Sequence, residues 1–402
     1  MNRKKVMIIA HFCDYGKEQS NNRFNYIAEM MAETGCDVEL ITSSFSHRDK
    51  KQRCENECAD TGYKTTLIYE PSYNKNVSLK RLLYSHKKMA DNLKKYLETC
   101  EKPSIIYCAI PSINVSEVAA KYAVKNKIPF IIDVQDLWPE AYKLIIKNSF
   151  LYDTITRGMQ KRINAVYASA DAIVAVSDTY LERAVRVNKK SKNNISVYLG
   201  TDASEFDSFQ WGGKVAIEKN AGEVWIAYCG TLGHSYDLDI VIQALKDIDP
   251  KLYKFIIMGS GPLEDKFKES VQNLNINAVF TGKLPYGQMC ALLKMCDIAV
   301  NPIIKNAAQS IINKHADYAM AGVPVVSSQD EGEYSHLIEN YQCGINCKSD
   351  SVEEVHDALM YLISSKEKRV EYGENARKMA MERFNRCTAY STIEDAILKF
   401  MN

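Results

Sequence analysis

The chain has 402 residues and a net charge of +1, with 46% hydrophobic and 25% charged residues. This composition is typical of a soluble globular protein, and the length exceeds what one core usually organises, so we expect two domains. No run of about 18 apolar residues is present, which argues against a membrane-spanning helix. The first apolar run, Val6–Ala10, is too short for the core of a signal peptide and predicts a buried strand.

Charge and cysteine are both informative in their distribution. Residues 1–199 contain 31 Lys and Arg against 22 Asp and Glu, whereas residues 200–402 contain 20 against 28. Such asymmetry suggests that the first half meets an anionic surface. The 12 cysteines are scattered and no export signal is apparent, so we expect reduced thiols. The pairs Cys54/Cys58 and Cys343/Cys347 leave zinc as a minor alternative, because neither pair has a histidine cluster nearby.

Short apolar runs alternate with amphipathic stretches throughout the first half, which predicts a parallel sheet covered by helices on both faces. The predicted strands are Val6–Ala10, Val38–Thr42, Thr65–Tyr69, Ser104–Ala109, Phe130–Val134 and Ala172–Val176. The predicted helices are Arg23–Glu33, Ile113–Lys125 and Thr154–Ala168.

The second half repeats this rhythm after a segment poor in apolar residues, 200–222, which we interpret as a linker. The predicted strands are Val224–Cys229, Tyr253–Met258, Ala278–Thr281, Ile298–Asn301 and Val323–Ser327. The predicted helices are Leu238–Leu245, Leu263–Asn273, Tyr286–Lys294, Lys314–Met320, Val352–Ser364, Glu367–Phe384 and Thr388–Met401. We therefore expect an N-terminal domain at 1–199, a C-terminal domain at 200–385, and a final helix at 386–402 that packs back on the N-terminal domain.

Parallel α/β domains bind ligands at the carboxyl ends of their strands, so we searched the loops that follow each strand. Ser20, Asn21 and Arg23 stand where the loop after the first strand enters a helix. Such a helix start offers unpaired backbone N–H groups and side-chain donors. A plain helix cap at Ser20 or Asn21 explains the same residues equally well.

An acidic cluster follows the predicted strand Phe130–Val134. Asp133, Asp136 and Glu140 crowd this strand end beside Trp138. Carboxylates in this position can orient acceptor hydroxyls or take part in proton transfer. The alternative is a set of turn and capping residues.

Glycine-containing turns follow the first three strands of the predicted C-terminal domain. Glycine between a strand and a helix lets a phosphate approach the backbone, although a tight turn is an equal explanation. No complete dinucleotide-binding fingerprint or phosphate-binding loop is present, which disfavours a dehydrogenase. The turn residues that we assign to binding a phosphate-containing ligand are Gly230, Thr231, Gly233, Gly259, Gly261, Gly282 and Lys283.

The stretch from Asn301 to Ser327 is the most informative of the chain. A helix start at Ile311, Ile312 and Asn313 can hold a diphosphate, and Lys314 adds a cation close by. Asp317 lies on the same helix, where it can accept hydrogen bonds from ribose hydroxyls. For an arbitrary helix, the alternative is a solvated i,i+3 pair between Lys314 and Asp317.

The run Asp317-Tyr-Ala-Met-Ala-Gly-Val-Pro-Val-Val-Ser327 resembles the retaining glycosyltransferases of family 4. The resemblance covers nearly the whole chain in order, including the turns at Gly230 and Gly259 and the segment Cys296–Pro302. It implies an α/β GT-B fold, in which two Rossmann-like parallel-sheet domains face a central cleft. Asp136-Leu-Trp-Pro139 and Asn313-Lys314 resemble the branch that builds O-antigen, capsule and related surface glycans.

This resemblance implies that a sugar passes from a nucleotide donor, UDP-linked by family, to a lipid-linked or growing glycan acceptor. An N-acetylamino sugar is the expected cargo, and the reaction needs no metal and no cofactor besides the donor. Three residues are assigned to catalysis, namely Asp136, Lys314 and Gln309. The donor site further comprises the turn residues named above, from Gly230 to Lys283, together with Ser310, Ile311, Ile312, Asn313 and Asp317. The acceptor-site residues are Ser20, Asn21, Arg23, Gln135 and Trp138.

Four positions depart from the family pattern. Gln309 stands where the first acid of the pair is usual, Thr231 where an arginine is frequent, and Gln135 where a histidine is frequent. At the domain junction, the usual Asn-Gly-x-Asp is replaced by Leu199-Gly-Thr-Asp202. The amide at position 309 leaves the donor sugar open. Two alternatives stay open. One is an epimerase-like GT-B enzyme that acts on a UDP-sugar alone, and the other is a non-catalytic subunit that binds sugar nucleotides, which Gln309 and Gln135 support best.

The segment Lys75–Tyr96 contains seven basic residues and one acid, in an amphipathic helical pattern. A basic amphipathic helix is typical of proteins that bind membrane surfaces. We therefore predict a cytoplasmic protein that is peripheral on the inner face of the plasma membrane. The alternative is a solvated helix packed on the sheet. Nucleic acid is not an expected partner, since no basic stretch interleaved with aromatic residues is present.

Overall fold

The structure, a computed structural model, describes residues 3–15, 23–53, 61–74, 80–144, 146, 148–213, 217–305 and 311–401. The chain divides into two compact units. The N-terminal unit comprises Met1–Tyr198 and Tyr390–Asn402, and the C-terminal unit comprises Leu199–Ala389. In the described part of the chain, no helix combines the length and the apolar character needed to cross a membrane.

The N-terminal unit contains a seven-stranded parallel sheet in the order β5-β2-β1-β6-β7-β8-β9. Its central strands are apolar at nearly every position, because helices cover both faces of the sheet. A two-stranded antiparallel ribbon, β3-β4, lies beside it. The strands are β1 (Lys5–Ile9), β2 (Asp37–Ser43), β3 (Phe45–Ser46), β4 (Lys51–Gln52), β5 (Lys64–Ile68), β6 (Ile105–Ile110), β7 (Phe130–Val134), β8 (Ala172–Ala175) and β9 (Asn193–Ser196).

Helices of the N-terminal unit bury one stripe each against this sheet. Met89, Ala119 and Ile163, from three different helices, belong to one core cluster with the strand residues Ile106 and Ile132. The helices are α1 (Arg23–Glu33), α2 (His86–Thr99), α3 (Ile113–Asn126), α4 (Ser149–Ser169), α5 (Asp178–Val185) and the C-terminal helix Ser391–Lys399, with a π-helical turn at Lys80–Ser85 and a 3-10 helix at Glu140–Leu144.

The described part of the predicted membrane-binding segment is a surface helix of this unit. Met89, Leu93 and Leu97 of α2 are buried in the core cluster, so the apolar stripe of this helix is already covered by protein. The lysines of the opposite face are exposed. The membrane interpretation of Lys75–Tyr96 is therefore wrong for the apolar face of α2, and the solvated helix packed on the sheet is correct there. Residues 75–79 lie outside the described residues.

The C-terminal unit contains a six-stranded parallel sheet in the order β12-β11-β10-β13-β14-β15. The strands are β10 (Val224–Cys229), β11 (Tyr253–Met258), β12 (Ala278–Gly282), β13 (Ile298–Asn301), β14 (Val325–Ser327) and β15 (Gly344–Asn346). The helices are α6 (Ala203–Ser208), α7 (Leu238–Leu245), α8 (Glu264–Asn273), α9 (Tyr286–Leu293), α10 (Asn313–Met320), α11 (Glu333–Tyr341), α12 (Val352–Ser364), α13 (Lys366–Met379) and α14 (Arg386–Ala389), with a π-helical turn at Ala380–Phe384.

The predicted fold class is confirmed, since each unit is a parallel sheet with helices of the Rossmann type. Several boundaries differ for local reasons. Helix α4 begins earlier than predicted because the Asn148 side chain accepts a hydrogen bond from the Leu151 backbone N–H and caps it. Strand β14 begins after Pro324, which has no N–H to donate to a ladder. The predicted linker 200–222 contains a helix, α6, capped by Asp202.

Candidate active site

The C-terminal sheet reverses its strand order between β10 and β13. From β10 the chain proceeds outward to β11 and β12, and it then returns to place β13 on the other side of β10. Ligands of open parallel sheets bind outside the carboxyl ends of the strands at such a point. Gly230 follows β10 there, Pro302 follows β13, and α10 begins at Asn313.

Lys314 lies at this switch point with a buried ammonium group. The residue is 7% exposed, and its Nζ has no hydrogen-bond partner within the described residues. Nζ lies 3.8 Å from the ring centroid of Tyr236 and 4.2 Å from that of Tyr228. Burial lowers the pKa of Lys314 to about 7. A buried cation supported only by aromatic faces is prepared to receive an anion.

Gly230 leaves the space that the Lys314 side chain occupies. Its backbone φ of 138° lies in a region that residues other than glycine rarely adopt, and an added Cβ would lie 3.3 Å from Lys314 Nζ. Gly259 is required for a different reason, the close approach of two backbone segments. An added Cβ there would lie 1.8 Å from the Gly230 carbonyl oxygen. Gly261 likewise brings the backbone close to Leu232. These glycines therefore hold the turns after β10 and β11 tightly together, in agreement with the tight-turn explanation.

Asp317 is buried one turn beyond Lys314 on α10, and it does not form the solvated i,i+3 pair. Its Oδ1 accepts a hydrogen bond of 2.8 Å from the hydroxyl of Tyr286, which lies 2.9 Å from Thr201 Oγ1. Burial raises the pKa of Asp317 to about 7, against the opposing effects of Tyr286 and Arg386. Because both Lys314 and Asp317 are buried, the alternative of a surface pair is wrong.

The remaining residues assigned to the donor surround this point at varying depth. Ile311 and Gly233 are buried, Gly282 and Ile312 are partly buried, and Thr231, Lys283 and Asn313 are exposed. Thr231 also accepts a hydrogen bond through its carbonyl oxygen from the Tyr228 hydroxyl, at 2.8 Å. Gln309 and Ser310 lie outside the described residues. The donor-binding roles of all these residues stay predictions.

Sequence reasoning missed three tyrosines of the C-terminal unit. Tyr228 and Tyr236 enclose Lys314, and Tyr286 holds Asp317. Tyr228 lies within an apolar strand and Tyr286 opens a helix, so the sequence pattern gives both the appearance of core residues. Only the proximity of Tyr236 to the glycine turn at Gly230-Thr-Leu-Gly233 offered a signal.

Asp136 is the partly buried carboxylate that follows β7 in the N-terminal unit. It accepts hydrogen bonds from Trp138 Nε1 at 2.9 Å and from the Leu137 backbone N–H at 2.8 Å. Burial raises the pKa of Asp136. Gln135 Nε2 donates instead to Asp133 Oδ1 at 2.5 Å. The indole of Trp138 therefore fixes the orientation of the Asp136 carboxylate.

Two residues of the predicted acceptor region have structural partners within the N-terminal unit. Arg23 Nε donates to Asp133 Oδ2 at 2.7 Å, and its Nη1 donates to the carbonyl oxygens of Val197 and Tyr198. The pair is buried, so Arg23 ties α1 to the sheet rather than lying open to an acceptor. Glu140 is likewise paired, with Arg183. Ser20 and Asn21 lie outside the described residues.

A second polar cluster, unanticipated from sequence, follows β1 and β5. His11 Nε2 lies 2.8 Å from Glu70 Oε2, and His11 Nδ1 lies 2.6 Å from Ser112 Oγ. With His86, these groups have the separations of a metal site. However, Arg81 Nε donates to His86 Nε2 at 3.1 Å, so this ligand atom is already used and a guanidinium lies where it would repel a cation. The cluster fits a buried hydrogen-bond network better than a metal.

The described cysteines are free thiols, and Cys343 and Cys347 are both buried. Burial raises the pKa of each thiol to about 12, which disfavours the thiolate that zinc requires. Cys54 and Cys58 lie outside the described residues.

Two family models match the chain. A model described as Glycosyltransferase Family 4 matches residues 21–204, and one described as Glycosyl transferases group 1 matches residues 213–379. Together with the parallel sheets of both units, these matches identify the chain as a glycosyltransferase of the family 4/group 1 type, with the GT-B fold.

Among curated proteins, the chain is 27% identical over 224 residues to an uncharacterised glycosyltransferase of Methanocaldococcus jannaschii, covering 55% of this chain and 56% of the relative. It is 25% identical over 187 residues to an α-1,4-N-acetyl-D-galactosaminyltransferase of Campylobacter jejuni, whose named substrate is GalNAc-α-(1→4)-GalNAc-α-(1→3)-diNAcBac-PP-undecaprenol. This second match covers 46% of this chain and 45% of the relative. The chain thus spans about half the length of the curated relatives it matches.

Solved structures share the fold over the full length. Sucrose-phosphate synthase from Thermosynechococcus elongatus is similar with a TM-score of 0.75 at 15% identity, covering 99% of each chain. The Anabaena protein HepE, solved in complex with UDP, is similar with a TM-score of 0.71 at 14% identity, covering 98% of this chain and 100% of that one.

Proposed function

We propose that this protein is a retaining glycosyltransferase that moves a sugar from a UDP-sugar to a lipid-linked glycan in surface polysaccharide synthesis. The observation that carries the proposal is Lys314, a buried ammonium group without a hydrogen-bond partner among the described residues, at the switch point of the C-terminal sheet. A diphosphate is the anion that suits this place, since the start of α10 adds its own positive dipole end.

The choice of donor is supported by relatives. HepE is described in complex with UDP, and the Campylobacter relative transfers N-acetylgalactosamine. A UDP-linked N-acetylamino sugar is therefore our first candidate. In this proposal Lys314 and the helix start bind the diphosphate, Gln309 contacts the sugar, and Asp317 accepts hydrogen bonds from the ribose.

The choice of acceptor is supported by the same Campylobacter relative, whose substrate is a glycan on undecaprenyl diphosphate. We assign the acceptor to the N-terminal unit, where Asp136 is held by Trp138. A carboxylate so oriented can accept a hydrogen bond from an acceptor hydroxyl and fix its direction. A lipid-linked acceptor also places the protein at the cytoplasmic face of the membrane.

The proposed chemistry needs neither a metal nor a protein nucleophile. The bond from the anomeric carbon to the diphosphate breaks, and the acceptor oxygen bonds to the same face of that carbon. The acceptor proton passes to the departing diphosphate. Lys314 stabilises the charge that develops on the leaving group, which is the largest contribution available to a site of this kind.

The experiment is a turnover assay with UDP-N-acetylgalactosamine, UDP-N-acetylglucosamine and UDP-glucose, each with and without an undecaprenyl-diphosphate glycan. The proposal predicts UDP release that depends on acceptor, and a product whose new linkage keeps the α configuration by NMR. A β linkage would overturn the retaining assignment. Addition of EDTA should leave the rate unchanged, and loss of activity with EDTA would overturn the metal-free assignment.

Two alternatives are separated by the same assay, and the amides Gln309 and Gln135 favour the second of them. An epimerase-like enzyme converts the UDP-sugar without any acceptor. A non-catalytic subunit binds UDP but produces neither free UDP nor a new sugar.

A further inference from the structure

An exposed apolar cluster lies at the start of α4 in the N-terminal unit. Phe150 is 80% exposed, Leu151 50% and Ile155 53%. Large apolar side chains are normally scattered singly over a protein surface, and a group of three within two helical turns marks an interaction site. Other residues of α4, such as Tyr152 and Ile163, are buried, so the helix has a covered face and a separate exposed apolar one.

Basic residues share this exposed face. At 3.6 residues per turn, Phe150, Leu151, Ile155, Arg157 and Lys161 fall within an arc of about 160°. Arg157 and Lys161 are exposed and form no ion pair with a described residue. Asp153 is the single acid within residues 149–162, and it lies about 40° outside the arc. Apolar tips flanked by long basic side chains suit the boundary between the headgroups and acyl chains of an anionic bilayer.

The position of the cluster in the unit fits this partner. Helix α4 connects β7 to β8, which pair in parallel, so the chain returns along α4 and the helix starts towards the edge of the sheet where β7 ends. The same edge carries Asp136 and Trp138, which follow β7. Gln160, ten residues beyond Phe150, also contacts this region, since its Nε2 donates to Glu140 Oε1 at 3.4 Å.

We propose that Phe150, Leu151 and Ile155 insert into an anionic membrane surface, with Arg157 and Lys161 binding its lipid phosphates. This surface replaces α2 as the site of membrane contact. The membrane contact itself does not depend on the proposed function. Only its purpose does, which is to bring the sheet edge that carries Asp136 to a lipid-linked acceptor.

The test is co-sedimentation of the full chain with vesicles of phosphatidylcholine alone and of phosphatidylcholine with phosphatidylglycerol in equal parts. The unmodified protein should bind the anionic vesicles, and added salt should weaken binding. The triple variant Phe150→Ser, Leu151→Ser, Ile155→Ser should bind at least about tenfold more weakly, because three large side chains no longer leave water. Val370→Ser, a 50% exposed residue on α13, is the matched control and should bind normally.

A second variant, Phe150→Trp, reports insertion directly. Its emission should shift to the blue with anionic vesicles and be quenched by brominated lipid chains. Equal binding of the triple variant and the unmodified protein would overturn the proposal. So would light scattering that shows a dimer dissociated by the triple substitution, since the cluster would then bind a second copy. Thermal stabilisation by UDP is measured on the triple variant as well. If it persists, the donor site is intact, and the result for membrane binding is then independent of the proposed donor site.

Discussion

Lys314 Nζ lies against the rings of Tyr228 and Tyr236, and a Cβ added at Gly230 would lie 3.3 Å from it. Because burial lowers its pKa to about 7, the free protein loses this proton as the pH rises above 7, whereas the unfolded chain keeps it until about 10.5. Unfolding therefore takes up a proton in this window, so Lys314 contributes a rise in stability from pH 7 towards pH 10. A bound diphosphate has the opposite effect on the site, since it favours the charged ammonium group.

We predict that UDP binding takes up a proton and weakens above pH 7, by up to about tenfold per pH unit. Calorimetry in buffers of different ionisation enthalpy measures this uptake. Lys314→Arg should bind with little pH dependence, because a guanidinium stays charged. Asp317→Asn removes the other buried group of α10 with a pKa of about 7, and it should retain the uptake. An affinity that is constant from pH 7 to pH 9 in the unmodified protein would contradict the role of Lys314.

Tyr236 is predicted to set this pKa through its ring rather than its hydroxyl. Tyr236→Ala admits water to Nζ, so the pKa of Lys314 should rise and the onset of weakening should move to higher pH. Tyr236→Phe keeps the ring and should behave like the unmodified protein. The same calorimetric pH series decides the matter, and identical profiles for the alanine and phenylalanine variants would refute this account.

Asp136 is predicted to act on the acceptor and not on the donor. Asp136→Asn should lower the transfer rate by about 10²-fold or more, the usual contribution of a positioned acid or base. Its affinity for UDP should stay unchanged, as should its stability. Trp138→Phe keeps an aromatic ring but removes the indole N–H that orients the carboxylate, and an intermediate rate is expected. An Asp136→Asn enzyme with full transfer activity would show that the acceptor is activated elsewhere.

At the scale of elements, the turns after β10 and β11 depend on glycine. Gly259→Ala should destabilise the C-terminal unit by about 3 kcal/mol or more, because its Cβ would overlap the Gly230 carbonyl oxygen. Urea unfolding measures the loss. Gly158→Ala on α4 is the control for the same change in an open site, and it should stabilise by about 0.5–1 kcal/mol. Equal stability of the two variants would mean that the two turns are not in close contact.

The buried pair of Arg23 and Asp133 is the corresponding support in the N-terminal unit. It joins α1 to β7, to the end of the sheet at Val197, and to the hydroxyl of Tyr390 before the C-terminal helix. Arg23→Met should cost about 3–5 kcal/mol, since Asp133 is left buried and unpaired. Arg23→Met with Asp133→Leu should recover part of the loss. A loss of transfer without a loss of stability in Arg23→Met would instead support the acceptor role predicted from sequence.

The sequence predicts elements better than it predicts what covers them. Four strands were predicted at their observed bounds, because continuous apolar runs between turns leave little ambiguity. They are Phe130–Val134, Val224–Cys229, Tyr253–Met258 and Ile298–Asn301. For α2 the amphipathic pattern showed that one face is buried, yet the pattern is the same whether lipid or protein covers it. The strand Asn193–Ser196 was missed because polar residues at the edge of a sheet give no apolar signal.

The candidate site shows the same limit. Lys314 and Asp317 were found because their motif is local in sequence. Tyr236, Tyr286 and Asp133 act through contacts across the fold, and single-residue chemistry gives no sign of which tyrosine or aspartate is so placed.

At the scale of the whole molecule, each unit has its own parallel sheet with its own reversal of strand order. The basic N-terminal half and the acidic C-terminal half differ in charge, in agreement with a membrane contact assigned to the N-terminal unit alone. The C-terminal unit carries the residues proposed for the donor, so nucleotide binding should be a property of that unit.

The most direct test of the central claim is a calorimetric titration of UDP and GDP at pH 7 into the unmodified protein, Lys314→Met and the surface control Lys246→Ala. The account predicts that UDP binds the unmodified protein and the control equally, and that Lys314→Met binds about ten- to a hundredfold more weakly. GDP should bind less tightly than UDP. UDP binding that is the same in all three proteins, or absent from all three, would contradict the assignment of Lys314 to the donor diphosphate.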